Sequence, residues 1–155
     1  MIELKILEDS LIKKKGILIQ IEEENNNQEN SLKTTSVSFD DFEAIVDKKS
    51  ALIDELNKLD QGFESVYDRI KDAFLSNRDQ YKVQIEAFKS LISEITELSV
   101  SIQAHEARNK TLVENYFKKS HESIQADRIR AKSSYDFMNR MTHHDVAPRF
   151  MDKKK

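Results

Sequence analysis

Cysteine is absent from the 155-residue chain, which removes disulfide frameworks, thiolate metal sites and cysteine nucleophiles. Proline occurs once and glycine twice, far below average usage, so few positions are obliged to interrupt a helix. No apolar stretch approaches the roughly 20 residues of a membrane-spanning helix. The opening residues, MIELKILEDSLIKKKGILIQI, place Glu3, Glu8 and Asp9 where a secretory signal would have a basic start. A soluble, cytoplasmic protein without membrane insertion is the expectation. Charge of one sign is also missing: 25 lysines and arginines face 28 aspartates and glutamates, for a net charge of −3. Such a balance gives phosphate little attraction, and no nucleic-acid partner is expected. The glycine-rich phosphate loop, the nucleophile elbow and the two-histidine helix motif are absent as well, so neither catalysis nor a cofactor is expected.

What is present is charge in quantity, 34% of the residues against about a quarter in ordinary domains, interleaved with apolar residues at helical spacing. From Tyr81 to Phe117, the positions Tyr81, Phe88, Ile95, Ile102 and Tyr116 recur at multiples of seven, with Leu91, Leu98 and Leu112 three residues on. That is the pattern of a helix packed against other helices. Upstream, Val46, Ile53, Tyr67 and Phe74 continue one column and Phe42, Leu56, Phe63 and Ile70 the other. Leu4, Leu11, Leu18 and Leu32 form a column of their own, with Leu7 and Ile21 beside it. Gly16 costs about 1 kcal/mol relative to Ala inside a helix, and Ile17, Ile19 and Ile21 alternate like a short strand, but no second strand exists to pair with it. The run EEENNNQEN, Glu22 to Asn30, is polar enough to fray or to form an exposed helix end.

A second and third helix fused into one rod would exceed about 100 Å at about 1.5 Å per residue, so a fold-back is expected. Ser76 to Gln80 is the favoured place, because Asn77 and Gln80 have capping-box spacing. Asp60-Gln61-Gly62 is the second choice, and the unbroken step Tyr67, Phe74, Tyr81 speaks against any break. The expected fold is all-α: an elongated antiparallel bundle or hairpin of three long helices, about 2–32, 39–75 and 80–133. Residues 1–134 would form one domain and residues 135–155, with Pro148 and the closing lysines, a flexible tail.

Candidate sites are few. His143-His144-Asp145 lacks a further ligand pair to complete a metal site, and no metal is expected there. His105 occupies a seam position as a partly buried polar residue, and His121 stands apart from it. Asn109 also falls in the seam, so HEARN puts a polar layer in the longest helix. Such a layer either fixes helix register or finds its partners in a bound peptide. Glu94, Glu97, Glu106 and Asp127 read as solvated carboxylates. The cluster Tyr135, Phe137, Met138 and Met141 either folds back on the bundle or serves as a short recognition element.

The stretch VDKKSALIDELNKLDQGFESVYDRIK, followed by ISEITELSVSIQAHEARNKTLVENYF and by the endings SSYDFMNRM and PRFMDKKK, resembles the FlgN-type flagellar export chaperones, in their clostridial form. The likeness extends over nearly the whole chain, including an Asn, here Asn109, before the apolar pair Leu112 and Val113. It implies an antiparallel helical bundle and a cytoplasmic, non-enzymatic chaperone of type III secretion. Such a protein would hold the terminal amphipathic helices of hook-filament junction proteins, prevent premature assembly and deliver them to the export gate protein. For the client the resemblance and the helix pattern together nominate Leu98, Ile102, Asn109, Leu112, Val113, Tyr116 and Phe117. For gate docking it nominates Tyr135, with Phe137 as a near alternative; Asp136-Phe137-Met138 departs from the Gly-containing segment of the family. A FliT-like chaperone of the filament cap protein, and a homodimeric coiled-coil adaptor built on the same stripe, remain the alternatives.

Overall fold

The computed structural model describes residues 2–33 and 39–119. Three helices account for all but a turn at 77–81: α1 (Ile2–Lys33), α2 (Phe39–Ser76) and α3 (Lys82–Lys119). No strand occurs among the described residues. At about 1.5 Å per residue, the 38 residues of α2 and of α3 make each about 57 Å long. Ion pairs and ring contacts fix the directions. Lys14 meets Asp60, and Lys49 meets both Gln28 and Glu106, while Phe42 meets Phe117. So α2 runs against α1 and α3, whereas Glu22 beside His105 and Asn25 beside Asn109 set α1 parallel to α3.

The fold-back between α2 and α3 occupies Asn77 to Tyr81. Asn77 does not open the third helix as a capping-box residue. Its Nδ2 donates to the Ala73 carbonyl at 2.8 Å, closing the second helix, whose last carbonyls have no partner within the helix. The amides of Gln80 and Tyr81 then bond the Asn77 carbonyl at 3.0 and 3.3 Å. Phase is kept through the turn because Phe74 stacks on both Tyr81 and Phe88, with centroids 5.6 and 6.3 Å apart. The aromatic step that spoke against a break therefore holds the break together.

Each helix buries two seven-residue columns. In α3 these are Phe88, Ile95, Ile102 and Asn109, and beside them Ile85, Ile92, Ser99, Glu106 and Val113. The second column lies on the other side of the first from Leu91, Leu98 and Leu112, of which all three are half-buried. A helix flanked by two neighbours needs a wider apolar face than a two-stranded coiled coil, and α3 meets that need with three columns. Ile17 and Ile21 are buried and Ile19 exposed within continuous α1, so their alternation is a helix face and no strand. The continuation of α3 expected to residue 133, and the tail, lie outside the described residues.

Candidate functional site

The apolar interior is split in two. A main cluster runs from Leu4, Leu7 and Leu11 on α1 through Ile53, Phe63 and Phe74 on α2 to Phe88 and Ile102 on α3. A separate end cluster joins Leu32, Phe42, Val46, Val113 and Phe117, with Phe39, Leu112 and Tyr116 packed against it. Phe117 meets Phe42 edge to face at 5.7 Å and Tyr116 at 4.9 Å.

Between the two clusters every helix carries polar side chains in its seam at one level. On α1, Asn25 and Gln28 stand between Ile21 and Leu32; on α2, Lys49 stands between Val46 and Ile53; on α3, His105, Glu106 and Asn109 stand between Ile102 and Val113. All six are buried. Lys49 Nζ donates to Glu106 Oε2 at 2.6 Å and to Gln28 Oε1 at 2.9 Å. Both members of the Lys49–Glu106 pair are 1% exposed. Burial holds the Lys49 amine below its ordinary value and the Glu106 carboxyl above its own, each countered in part by the charge of the other. Asn109 Nδ2 donates to the Asn25 carbonyl at 3.0 Å and to Gln28 Oε1 at 3.3 Å.

His105 forms the wall of this layer. Its Nδ1 lies 2.5 Å from Glu22 Oε1 and its Nε2 2.6 Å from Glu29 Oε1. A neutral imidazole donates from only one nitrogen, so the tautomer decides which of the two contacts the ring donates to. Glu22 takes a further bond from Ser101 Oγ at 2.9 Å, and Glu29 one from Lys33 at 2.7 Å. Those bonds, from Lys33 first and His105 second, hold the Glu29 carboxyl below the usual carboxylate range. No group of three or more His, Asp or Glu side chains able to hold a metal occurs among the described residues.

Two expectations change here. The run Glu22 to Asn30 is no frayed end: Asn25 and Gln28 are buried in the layer, and Glu22 and Glu29 bracket His105. Glu106 is no solvated carboxylate either, because Lys49 from the facing helix supplies a counter-charge inside the bundle. Glu94, by contrast, sits at the rim and pairs with Lys15. Of the residues nominated for a client, Ile102, Asn109, Val113 and Phe117 are buried and Leu98, Leu112 and Tyr116 half-buried. All but Leu98 and Ile102 lie at or beyond the polar layer. Tyr135, Phe137, His121, Asp127 and His143-His144-Asp145 lie outside the described residues.

Elsewhere the surface offers scattered apolar side chains. Ile12 and Ile19 are exposed on α1 on either side of Gly16, and Val83 and Val100 on α3. Beside Gly16 a shallow groove between α1 and α2 is lined by Ile17 and Leu59 and rimmed by Lys13, Glu55 and Lys58. Mixed charge and small apolar area make it an ordinary inter-helical furrow.

The site therefore belongs to an all-α three-helix bundle with a polar layer across its interior. No protein-family model matches the chain, and neither the curated proteins nor the solved structures contain a match to it. The FlgN-type likeness stands on the quoted stretches alone.

Proposed function

We propose that the protein is a helix-binding export chaperone of the FlgN type, whose clients are hook-filament junction proteins held by their terminal amphipathic helices. One observation carries this proposal: the apolar residues of the last third of α3 pack in a small cluster of their own, with Leu32, Phe42 and Val46, apart from the main core. A helix that binds helices through anchors at i, i+3, i+4 and i+7 uses the side chains that Asn109, Leu112, Val113, Tyr116 and Phe117 present. Here those side chains are met by α1 and α2, so the protein's own helix end and a client's helix compete for one trough. In this proposal the protein works in the cytoplasm, and Tyr135 with Phe137 keeps the gate-docking role that the resemblance implies.

The test is a pull-down with the tagged full chain, in which junction proteins and the filament cap protein are competing preys. Retention of junction proteins, lost when Leu32 and Val46, which line the trough on α1 and α2, are both changed to Ser in a chain that still folds, is the expected result. Retention of the cap protein alone assigns the protein to the FliT kind, and retention of neither removes the export function.

A further inference from the structure

The polar layer is short of hydrogen bonds for its depth. Asn25 is fully buried, and neither atom of its side-chain amide has a partner among the described residues. Gln28 Nε2, Asn109 Oδ1, Glu24 Oε1 and Ser99 Oγ are in the same condition. Buried polar atoms without a protein partner weaken the layer, and in a low-dielectric interior a half-satisfied network is worse than an apolar one. The layer also interrupts the apolar contact through which one part of a core stabilises the next. Cooperative units of a folded chain are bounded where such contact thins out.

Chain connectivity says which element can leave. At this end of the bundle α1 and α2 are tied to each other through residues 34–38, whereas α3 is joined to α2 only at the far end, through Asn77 to Tyr81. Lifting α3 from Asn109 onward opens the end cluster and leaves the main core shut. It also returns Asn25, Gln28 and Asn109 to water, which relieves the unpaired atoms and offsets part of the apolar exposure.

We propose that the stretch of α3 from Asn109 to Lys119 opens as a unit of its own with the polar layer as its boundary, and that the trough uncovered on α1 and α2 receives an amphipathic helix. The entering helix carries an amide or hydroxyl residue followed by apolar residues one and two turns on, the spacing of Asn109, Val113 and Phe117. Such a residue meets the unpaired amides of Asn25 and Gln28, while the apolar pair meets Leu32, Phe42 and Val46. The use of the trough rests on the helix-binding function proposed above, whereas the opening does not.

Native-state hydrogen exchange on the full chain tests the opening. In the wild type the amides from Lys110 to Phe117 are expected to be less protected than those from Ile92 to Ile102 by about ten-fold or more. In N25L/N109L, where leucine carries the Leu18–Leu32 column of α1 and the Phe88–Ile102 column of α3 through the layer, that gap is expected to close. Local fraying confined to α3 does not respond to Asn25, which lies on a different helix. Equal protection of the two segments in the wild type overturns the proposal, as does a folded N25L/N109L that keeps the gap. If the double variant does not fold, the wild-type comparison decides. A gap that closes as expected, in a protein that retains no helical client, removes the chaperone function and leaves the opening unit standing.

Discussion

Replacing Lys49 alone, Glu106 alone, and both together gives three quite different outcomes if the polar layer is as described. With Lys49→Met, the Glu106 carboxylate remains 1% exposed with its nearest counter-charge removed; breaking one partner of a buried pair costs about 3–5 kcal/mol. For a chain of this length each kcal/mol moves the melting temperature by about 2–4 °C, so a fall of about 6–20 °C is expected. The loss must depend on pH in a definite direction. Burial already raises the Glu106 pKa above its ordinary 4.5, and without Lys49 it rises further. A carboxyl with a raised folded pKa contributes stability that is fully present below the unfolded value and lost as pH rises through the folded one. K49M should therefore approach the wild type in acid and fall behind it toward neutrality. With Glu106→Gln the Lys49 ammonium is left buried, and its folded pKa, already depressed from 10.5, drops again. That stability is present above the unfolded value and lost as pH falls through the folded one, so E106Q recovers only in alkali. K49M/E106L removes both charges and fills the space with apolar atoms. Such replacements are neutral or stabilising by about 1–4 kcal/mol, so the double variant should melt at or above the wild type. Thermal melts followed by circular dichroism across pH measure all three. Single variants that melt with the wild type at neutral pH would refute the buried pair and the layer with it.

Three further outcomes follow from other parts of the bundle. Gly16 and Gly62 lie inside helices, neither has a positive φ, and a Cβ added at either meets nothing within 4 Å. Gly16→Ala and Gly62→Ala should each stabilise by about 0.5–1 kcal/mol, read by chemical denaturation; a loss at either would mean that the helix bends there. Glu29 has its pKa lowered by Lys33 and His105, so its share of stability is present above about pH 4.5 and lost as pH falls through the folded value. The advantage of the wild type over Glu29→Gln in thermal melts should shrink in acid, and a constant gap would contradict the bonds drawn to it. Ile95 is 5% exposed in the main core, and Ile95→Asp buries a charge among apolar side chains at a loss above about 4 kcal/mol. An unaltered helical melt would show that the assigned face is wrong.

Most of the fold was legible because a seven-residue clock needs only side-chain type to be read. The three helices, their order and the turn after Ser76 follow from columns of Leu, Ile and Phe with almost no Gly or Pro between them. The polar layer was legible only in part, and the signal was a set of gaps. Leu4, Leu11, Leu18 and Leu32 skip the step at Asn25; Phe42 and Leu56 skip the step at Lys49; Leu7 and Ile21 lead on to Gln28. One such gap in one helix is uninformative. What the sequence does not carry is that gaps on three helices fall at one height, since that depends on how the helices are staggered against each other. Lys49 and Glu106 were hidden for a further reason: a charged residue in a seam column reads as solvated until its counter-charge on another helix is seen. The nominated client residues were read as surplus apolar surface, whereas α1 and α2 cover Ile102, Val113 and Phe117 in the closed bundle.

Exchange of this end's own helix for another protein's is read by hydrogen exchange on the full chain with and without a saturating peptide from the terminal helix of a junction protein. Binding is expected to raise protection on α1 from Asn25 to Leu32 and on α2 from Phe42 to Lys49, and to lower it on α3 beyond Asn109. Bound peptide that leaves all three segments unchanged, or that protects only the outer face of α1 around Ile12 and Ile19, would contradict that exchange.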